Sequence, residues 1–165
     1  MQIHIFFIKS KEVSCCPVCS GSLRVRDTKL RHMINQDGSA DWYRLRRLKC
    51  KDCGKLHTEL PDFMIPFKHY GADVIEAELD ETRNDCPADD STISRWKSTF
   101  VAASTNINGL LSSFWIAIHH KPYPLMNQTS LLETARQNTP GWLAVVHRQL
   151  INSGHTLHTR FAFCP

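Results

Sequence analysis

The stretch "CPVCSGSLRV" (16–25) is answered by "CKDCGKLH" (50–57), with 30 residues between the two cysteine pairs, and this match decides the fold. Each stretch holds a Cys-x-x-Cys turn, followed by Ser-Gly or Gly. Zinc takes four ligands at tetrahedral corners, and thiolates suit it. A two-residue gap lets both sulfurs of one turn face the same ion. The following Gly can accept a positive φ in a tight turn. Cys16, Cys19, Cys50 and Cys53 are therefore the expected ligands of one structural Zn2+. Cys15 and His57 adjoin the set, and either could replace a ligand.

Other cysteine chemistries fit less well. A thioredoxin-like motif is a single Cys-x-x-Cys at a strand-to-helix junction, whereas here two matched turns occur. The chain has seven cysteines, and an odd number without a signal peptide argues against a secreted disulfide framework.

Working outward, "SLRVRDTKL" (22–30) and "DWYRLRRLKC" (41–50) read as strands joined by the turn-rich "NQDGSAD" (35–41). A hairpin of this kind brings the two turns together, giving a zinc ribbon. A region as small as residues 12–60 has too little core to stand alone, and the metal would staple it. The "HIFFIKSK" segment (4–11) reads as a first strand rather than a signal peptide, since no basic region precedes its short apolar run.

Charge is unevenly placed along the 165 residues, whose net charge is +4. Residues 20–55 carry ten Lys/Arg against four acids, residues 56–90 carry two against ten, and residues 91–165 carry six against Glu133. Two basic regions flank an acidic one, and basic regions attract polyanions. No stretch approaches the 18 or so apolar residues of a membrane helix. The longest candidate, residues 107–118, is interrupted by Asn108, Gly109, Ser112 and Ser113. A cytoplasmic protein with no membrane partner is the expectation.

Pro61 and Pro66 mark a linker or extended crossing. Residues 67–82 then read as a helix whose outer face is acidic through Asp73, Glu76, Glu78, Asp80 and Glu81. In "DCPADDSTISRWKSTF" (85–100), Asp89, Asp90 or Ser91 can cap a second helix. Ile93, Trp96 and Phe100 lie on one face of it. Its other face offers Thr92 and Arg95, with Lys97 at the margin, which suits a recognition helix at about 91–101. Residues 83–90 are short for a middle helix plus turn, so a helix-turn-helix here would be compressed.

In the C-terminal third, residues 107–118 are amphipathic, "HHKPYP" (119–124) breaks that helix, and "QTSLLETARQN" (128–138) reads as a short helix. "NTPGWLAVVHRQLINSG" (138–154) has a Thr N-cap, Pro140 at the first helical position and Gly154 at the stop. "HTLHTRFAFCP" (155–165) alternates like a strand. These helices either pack into a core or form a homodimer face. His119, His120, His147, His155 and His158 lack the clustered carboxylates of metal-dependent phosphoryl transfer. No phosphate loop or activated nucleophile appears. The chain reads as a non-enzyme without a small-molecule substrate.

The stretches "CPVCSGSLRVRDTKLRH" (16–32), "YRLRRLKCKDCGKLHTELPDFMIPFKHYGADVIEAELDE" (43–81), "STISRW" (91–96) and "TRFAFCP" (159–165) resemble an uncharacterised bacterial family. Its members are mainly Gram-positive and often lie near mobile elements. The first part is also similar to the N-terminal zinc-binding region of insertion-sequence transposases. The resemblance implies a zinc ribbon joined to a helix-turn-helix that binds DNA. It carries over Cys16, Cys19, Cys50 and Cys53 as ligands and supplies no catalytic residue.

The sequence thus predicts an α+β protein in three parts: a zinc ribbon with an N-terminal strand (1–62), a helix-turn-helix-like unit (63–103) and a helical region ending in a strand (104–165). The expected function is zinc-dependent binding of double-stranded DNA, in a regulatory or mobile-element setting. Arg24, Arg26, Arg44, Arg46, Arg47 and Lys49 would contact phosphates, and Thr92, Arg95 and Lys97 would enter or border a groove. The alternative is a protein-interaction adaptor or an accessory subunit of a transposase or recombinase.

Overall fold

The computed structural model describes residues 4–10, 13–124, 129–152 and 161–163. It is a mixed α+β fold with one five-stranded sheet and four helices. Strands β2 (Leu23–Ile34) and β3 (Ala40–Cys50) form the expected antiparallel hairpin, from Leu23 opposite Cys50 to Ile34 opposite Ala40. The turn between them closes through Asn35, whose N–H donates to the Ser39 carbonyl at 2.8 Å, with Gly38 at φ 79. A bulge at Arg26 shifts the register between Val25 and Asp27.

The other edge of β3 is shared by two strands. β1 (Ile5–Phe7) runs parallel beside Trp42–Arg44, and β4 (Leu56–Leu60) runs antiparallel beside Arg47–Lys49. β5 (Phe161–Phe163) adds to β4 in parallel. The expected terminal strand thus appears at residues 161–163. Residues 155–160 and 164–165, and Gly154 with its helix stop, lie outside the described residues.

Strand alternation sorts the side chains of β3 and β4 by face. Tyr43, Leu45 and Leu60 join Met33, Met64 and Ile151 in a buried cluster. The opposite face carries Arg46, Leu48, Cys50, His57 and Glu59, of which the last four are buried. HTEL, ahead of the segment marked by Pro61 and Pro66, is strand because it alternates in step with β3.

The four helices are α1 (Ala72–Leu79), α2 (Asp90–His119), α3 (Leu131–Asn138) and α4 (Trp142–Asn152). The helix expected over 67–82 is shorter at both ends. Residues 69–71 are drawn onto the edge of β2 instead: the Ile34 N–H donates to the His69 carbonyl at 2.7 Å and the Gly71 N–H to the Ile34 carbonyl at 3.1 Å. The helices expected at 91–101 and 107–118 are one 30-residue helix that runs unbroken through residues 103 and 104. Gly109 lies inside it with nothing within 4 Å of its missing side chain, and one exposed helical Gly costs only about 1 kcal/mol. This fused helix is long and apolar enough to cross a membrane by length and composition, with a window of mean hydropathy 1.2, as neither half was alone. Its Trp96 and Leu111 are buried among the other helices, with Ile93, Phe100, Ile107, Leu110 and Phe114 packed alongside. Residues 80–89 separate α1 from α2, more than the three or four residues of a helix-turn-helix turn.

Two residues of the expected acidic face, Glu76 and Asp80, are structural. Glu76 accepts the N–H groups of Gly141 (3.0 Å) and Leu143 (2.8 Å) at the start of α4. Asp80 accepts from the Trp142 indole N–H at 2.7 Å and from both Nε and Nη2 of Arg136. The Arg136 guanidinium lies against the Phe100 and Trp142 rings. These contacts tie all four helices around Trp142, which is buried.

Candidate metal centre

The hairpin explains why the two Cys-x-x-Cys turns meet. Cys50 ends β3 directly opposite Leu23, so the turn before β2 and the turn after β3 emerge at the same end of the sheet. The Lys51 N–H donates to the Ser22 carbonyl at 2.9 Å and clamps one turn to the other. Within the first, the Cys16 N–H donates to the Gly21 carbonyl (2.9 Å) and the Ser20 N–H to the Cys16 carbonyl (2.8 Å). Within the second, the Cys50 N–H donates to the Lys55 carbonyl at 2.9 Å. The residue after the last cysteine of each turn is left-handed: Ser20 at φ 58 and Gly54 at φ 71. The first turn thus puts Ser where the glycine reading expected the special conformation. Its Gly21 serves a different need. A Cβ there would collide with the Asp52 carboxylate and lie 3.1 Å from the Cys50 sulfur.

The ligand atoms of Cys16, Cys19, Cys50 and Cys53 all lie within 4.8 Å of one another. The Cys16 and Cys53 sulfurs are 3.6 Å apart, and those of Cys19 and Cys50 are 3.5 Å apart. A disulfide would need about 2.05 Å. A tetrahedral ion with metal–sulfur bonds of about 2.3 Å has edges of about 3.8 Å. The spacing fits the second case, and this group could hold a metal ion. Cys16 and Cys50 are buried, while Cys19 and Cys53 are exposed.

Proton affinities point the same way. The Cys50 thiol is brought down to about 7, first by the Cys53 backbone N–H and then, against its burial, by the Asp52 N–H and the sulfurs of Cys19 and Cys53. The Gly21 N–H favours the Cys19 thiolate, but Cys50, Cys53, burial and Cys16 outweigh it and push Cys19 up to about 12. Four sulfurs this close cannot all ionise unless a cation joins them.

Neither Cys15 nor His57 belongs to the group of four. Cys15 pairs with Ser22 in an isolated bridge. His57 is buried, with Nε2 at 3.3 Å from the Cys16 sulfur. That is the place of a side chain that supports a ligand rather than one that replaces it.

The expected DNA-contacting cations separate into two sets. Arg24 and Lys49 sit opposite each other on the hairpin, and neither has an ion pair among the described residues. Arg26 stands out at the bulge, 51% exposed, with Asp27 at 3.7 Å. Arg44 reaches Thr28 Oγ1 at 3.4 Å. Arg46 and Arg47 are engaged differently. Arg46 is 16% exposed and grips the buried Glu59 with two donors. Arg47 forms two 2.5 Å bonds with Asp27 across the strand pair, and this holds the Asp27 carboxyl below the usual carboxylate range. Neither guanidinium was recognisable as paired from sequence spacing, because Glu59 and Asp27 meet them only through the sheet register.

At the start of α2, Asp89 caps the helix by accepting from the Thr92 N–H at 2.8 Å. Arg95 is exposed and Thr92 half-buried, with Arg95 Nη2 donating to Thr92 Oγ1 at 3.2 Å. Lys97 pairs with Glu81 at 2.9 Å.

Residues 16–96 match a family described as a domain of unknown function (DUF6431). The span opens on the first cysteine of the four and closes on Trp96, so it takes in the hairpin, α1 and the first turns of α2. No curated protein and no solved structure matches the chain.

Proposed function

We propose that the four-cysteine group binds one structural Zn2+ and that the chain is a non-catalytic DNA-binding protein with a zinc-ribbon N-terminal part. All-sulfur ligation fills the four positions of a tetrahedral zinc and leaves none for substrate. The observation that carries the DNA reading is the Arg24–Lys49 pair. Two cations face each other at the metal end of the hairpin without carboxylate partners among the described residues. With the exposed Arg26 they offer a positive edge to a phosphate backbone, the contact that gives affinity without sequence preference. The exposed Arg95 and the half-buried Thr92 beside it at the start of α2 are the residues for base contact, in a helix-turn-helix of unusual connection. On the resemblance read from the sequence, the proposed setting is a mobile element or regulation, and the proposed location the cytoplasm. Metal analysis of the purified chain should find one zinc, and selection from random duplexes should enrich a motif. A chain that carries no metal, or a selection that enriches nothing, counts against the reading.

A second reading, a protein-interaction adaptor, draws on the helical region. A cavity of about 620 Å³ between α2, α3 and α4 is lined by Leu111, Trp115, Ile118, Leu131 and Val146, and Ile118 is 71% exposed. Salt-insensitive self-association without duplex binding would favour that reading.

A further inference from the structure

A second constellation lies along β2, on residues that the DNA reading does not use. A cavity of about 420 Å³ is bordered by Lys29, Arg31 and His32 of β2 and by Lys68 and His69 of the loop before α1. The rings of Trp42 and Phe67 complete its wall. Among the described residues, no Asp or Glu lines it, and Lys29, Arg31 and Lys68 have no carboxylate within ion-pair distance.

The loop is held against the edge of β2. Arg31 Nη2 donates to the carbonyls of Ile65, at 2.7 Å, and of Lys68. The Lys68 N–H donates to the Ile65 carbonyl at 3.2 Å, and the His69 carbonyl is bound by the Ile34 N–H. Phe67 adopts φ 61, a conformation that costs a non-glycine residue roughly 1–2 kcal/mol and that surrounding contacts must enforce. The His32 and His69 rings stack with centroids 4.5 Å apart. Burial, with the charge of Arg95, lowers the Lys68 pKa. Burial, with His32 and Arg31, lowers that of His69. Cations gathered without counter-charge are a standing electrostatic cost unless an anion relieves it.

We infer that this cavity is a binding site for the phosphoryl group of a phosphate ester, with Lys29 and Lys68 supplying charge and His32 and His69 hydrogen-bonding its oxygens. Arg31 acts as the positioning residue that fixes the loop. The cavity is wider than a phosphate, and the Trp42 and Phe67 rings give the esterified part an apolar wall. The inference does not depend on the DNA reading, since the ester can be a nucleic-acid backbone or a small phosphorylated compound.

The test is titration of the full, zinc-loaded chain with inorganic phosphate, followed by calorimetry and by the imidazole resonances of His32 and His69. Saturable binding in the range of about 1–10 mM is expected, with both imidazoles shifting. Lys29→Gln and Lys68→Gln should each weaken it about tenfold, while Lys121→Gln leaves it unchanged. No saturation below about 50 mM, unmoved imidazoles, or lysine variants that bind like the parent would overturn the site. The imidazole shifts in the parent chain decide the matter even if a variant does not fold. Displacement of phosphate by a short duplex identifies a nucleic-acid source. Displacement by adenosine monophosphate but not duplex identifies a small ester. Displacement by neither refutes the ester assignment. Phosphate binding that survives a complete lack of duplex affinity would sink the DNA reading alone.

Discussion

Arg46 and Glu59 face each other across β3 and β4, with Arg46 Nε donating to Glu59 Oε2 at 2.5 Å and Nη2 donating to Oε1. Glu59 is 1% exposed. A buried carboxylate is tolerated when its charge is matched and its oxygens are hydrogen-bonded. Glu59→Ala should therefore cost about 3–5 kcal/mol, because it leaves a guanidinium stranded. Arg46→Ala should cost a similar amount, and the double variant much less than the sum. Urea unfolding of the four proteins checks this; two small, additive effects would show that the pair is not coupled. It follows that charge reversal at Arg46 perturbs the fold and cannot report on DNA contact.

Gly21 and Gly54 follow the two Cys-x-x-Cys turns but differ in what an added methyl would meet. Gly21→Ala should impair the metal site, since its Cβ would lie 3.1 Å from the Cys50 sulfur, while the exposed Asp52 carboxylate would have to swing aside. Gly54→Ala meets nothing within 4 Å and should cost only the roughly 1–2 kcal/mol of a left-handed alanine. Competition with a chromogenic chelator would rank the two. Equal metal affinity for both variants contradicts the close approach described for Gly21.

Asp89 caps α2 as a carboxylate. The hydroxyl of Ser91, followed by the N–H and hydroxyl of Thr92, holds its pKa at about 2, below the ordinary 3.8. A depressed acid stabilises the fold fully above its unfolded pKa and ceases to do so as pH falls through the folded value. The cap should thus weaken between about pH 4 and pH 2. Carbon-detected titration of the Asp89 carboxyl should give a midpoint near 2. A midpoint at the ordinary value would mean that the cap bonds do not persist in solution. At neutral pH, Asp89→Ala should lower Tm and Asp89→Asn, which can still cap, should lower it less.

The parts of the fold that were legible are those fixed by local chemistry. The cysteine spacing, the alternation on both sides of "NQDGSAD" and the Ile93–Trp96–Phe100 stripe each name their element without help from elsewhere. What was hidden depends on register or on distant partners. The expected helices at about 91–101 and 107–118 leave residues 102–106 between them, yet α2 runs on through that gap with apolar packing on both sides of it. Glu76 and Asp80 look like a solvated acidic face until α4 and Arg136 arrive. The phosphoryl cavity needs β2 and residues 67–69 side by side, and no spacing in the chain announces that pairing.

Duplex binding as a function of salt, measured on the zinc-loaded chain and on an Arg24→Ala/Lys49→Ala variant, tests the central claim most directly. The account predicts that log Kobs falls linearly with log salt for the parent. The variant should bind all sequences more weakly, with a slope shallower by about 1.8, two phosphate contacts at about 0.9 each. Absence of duplex binding by the parent, or a slope unchanged in the variant, would contradict it.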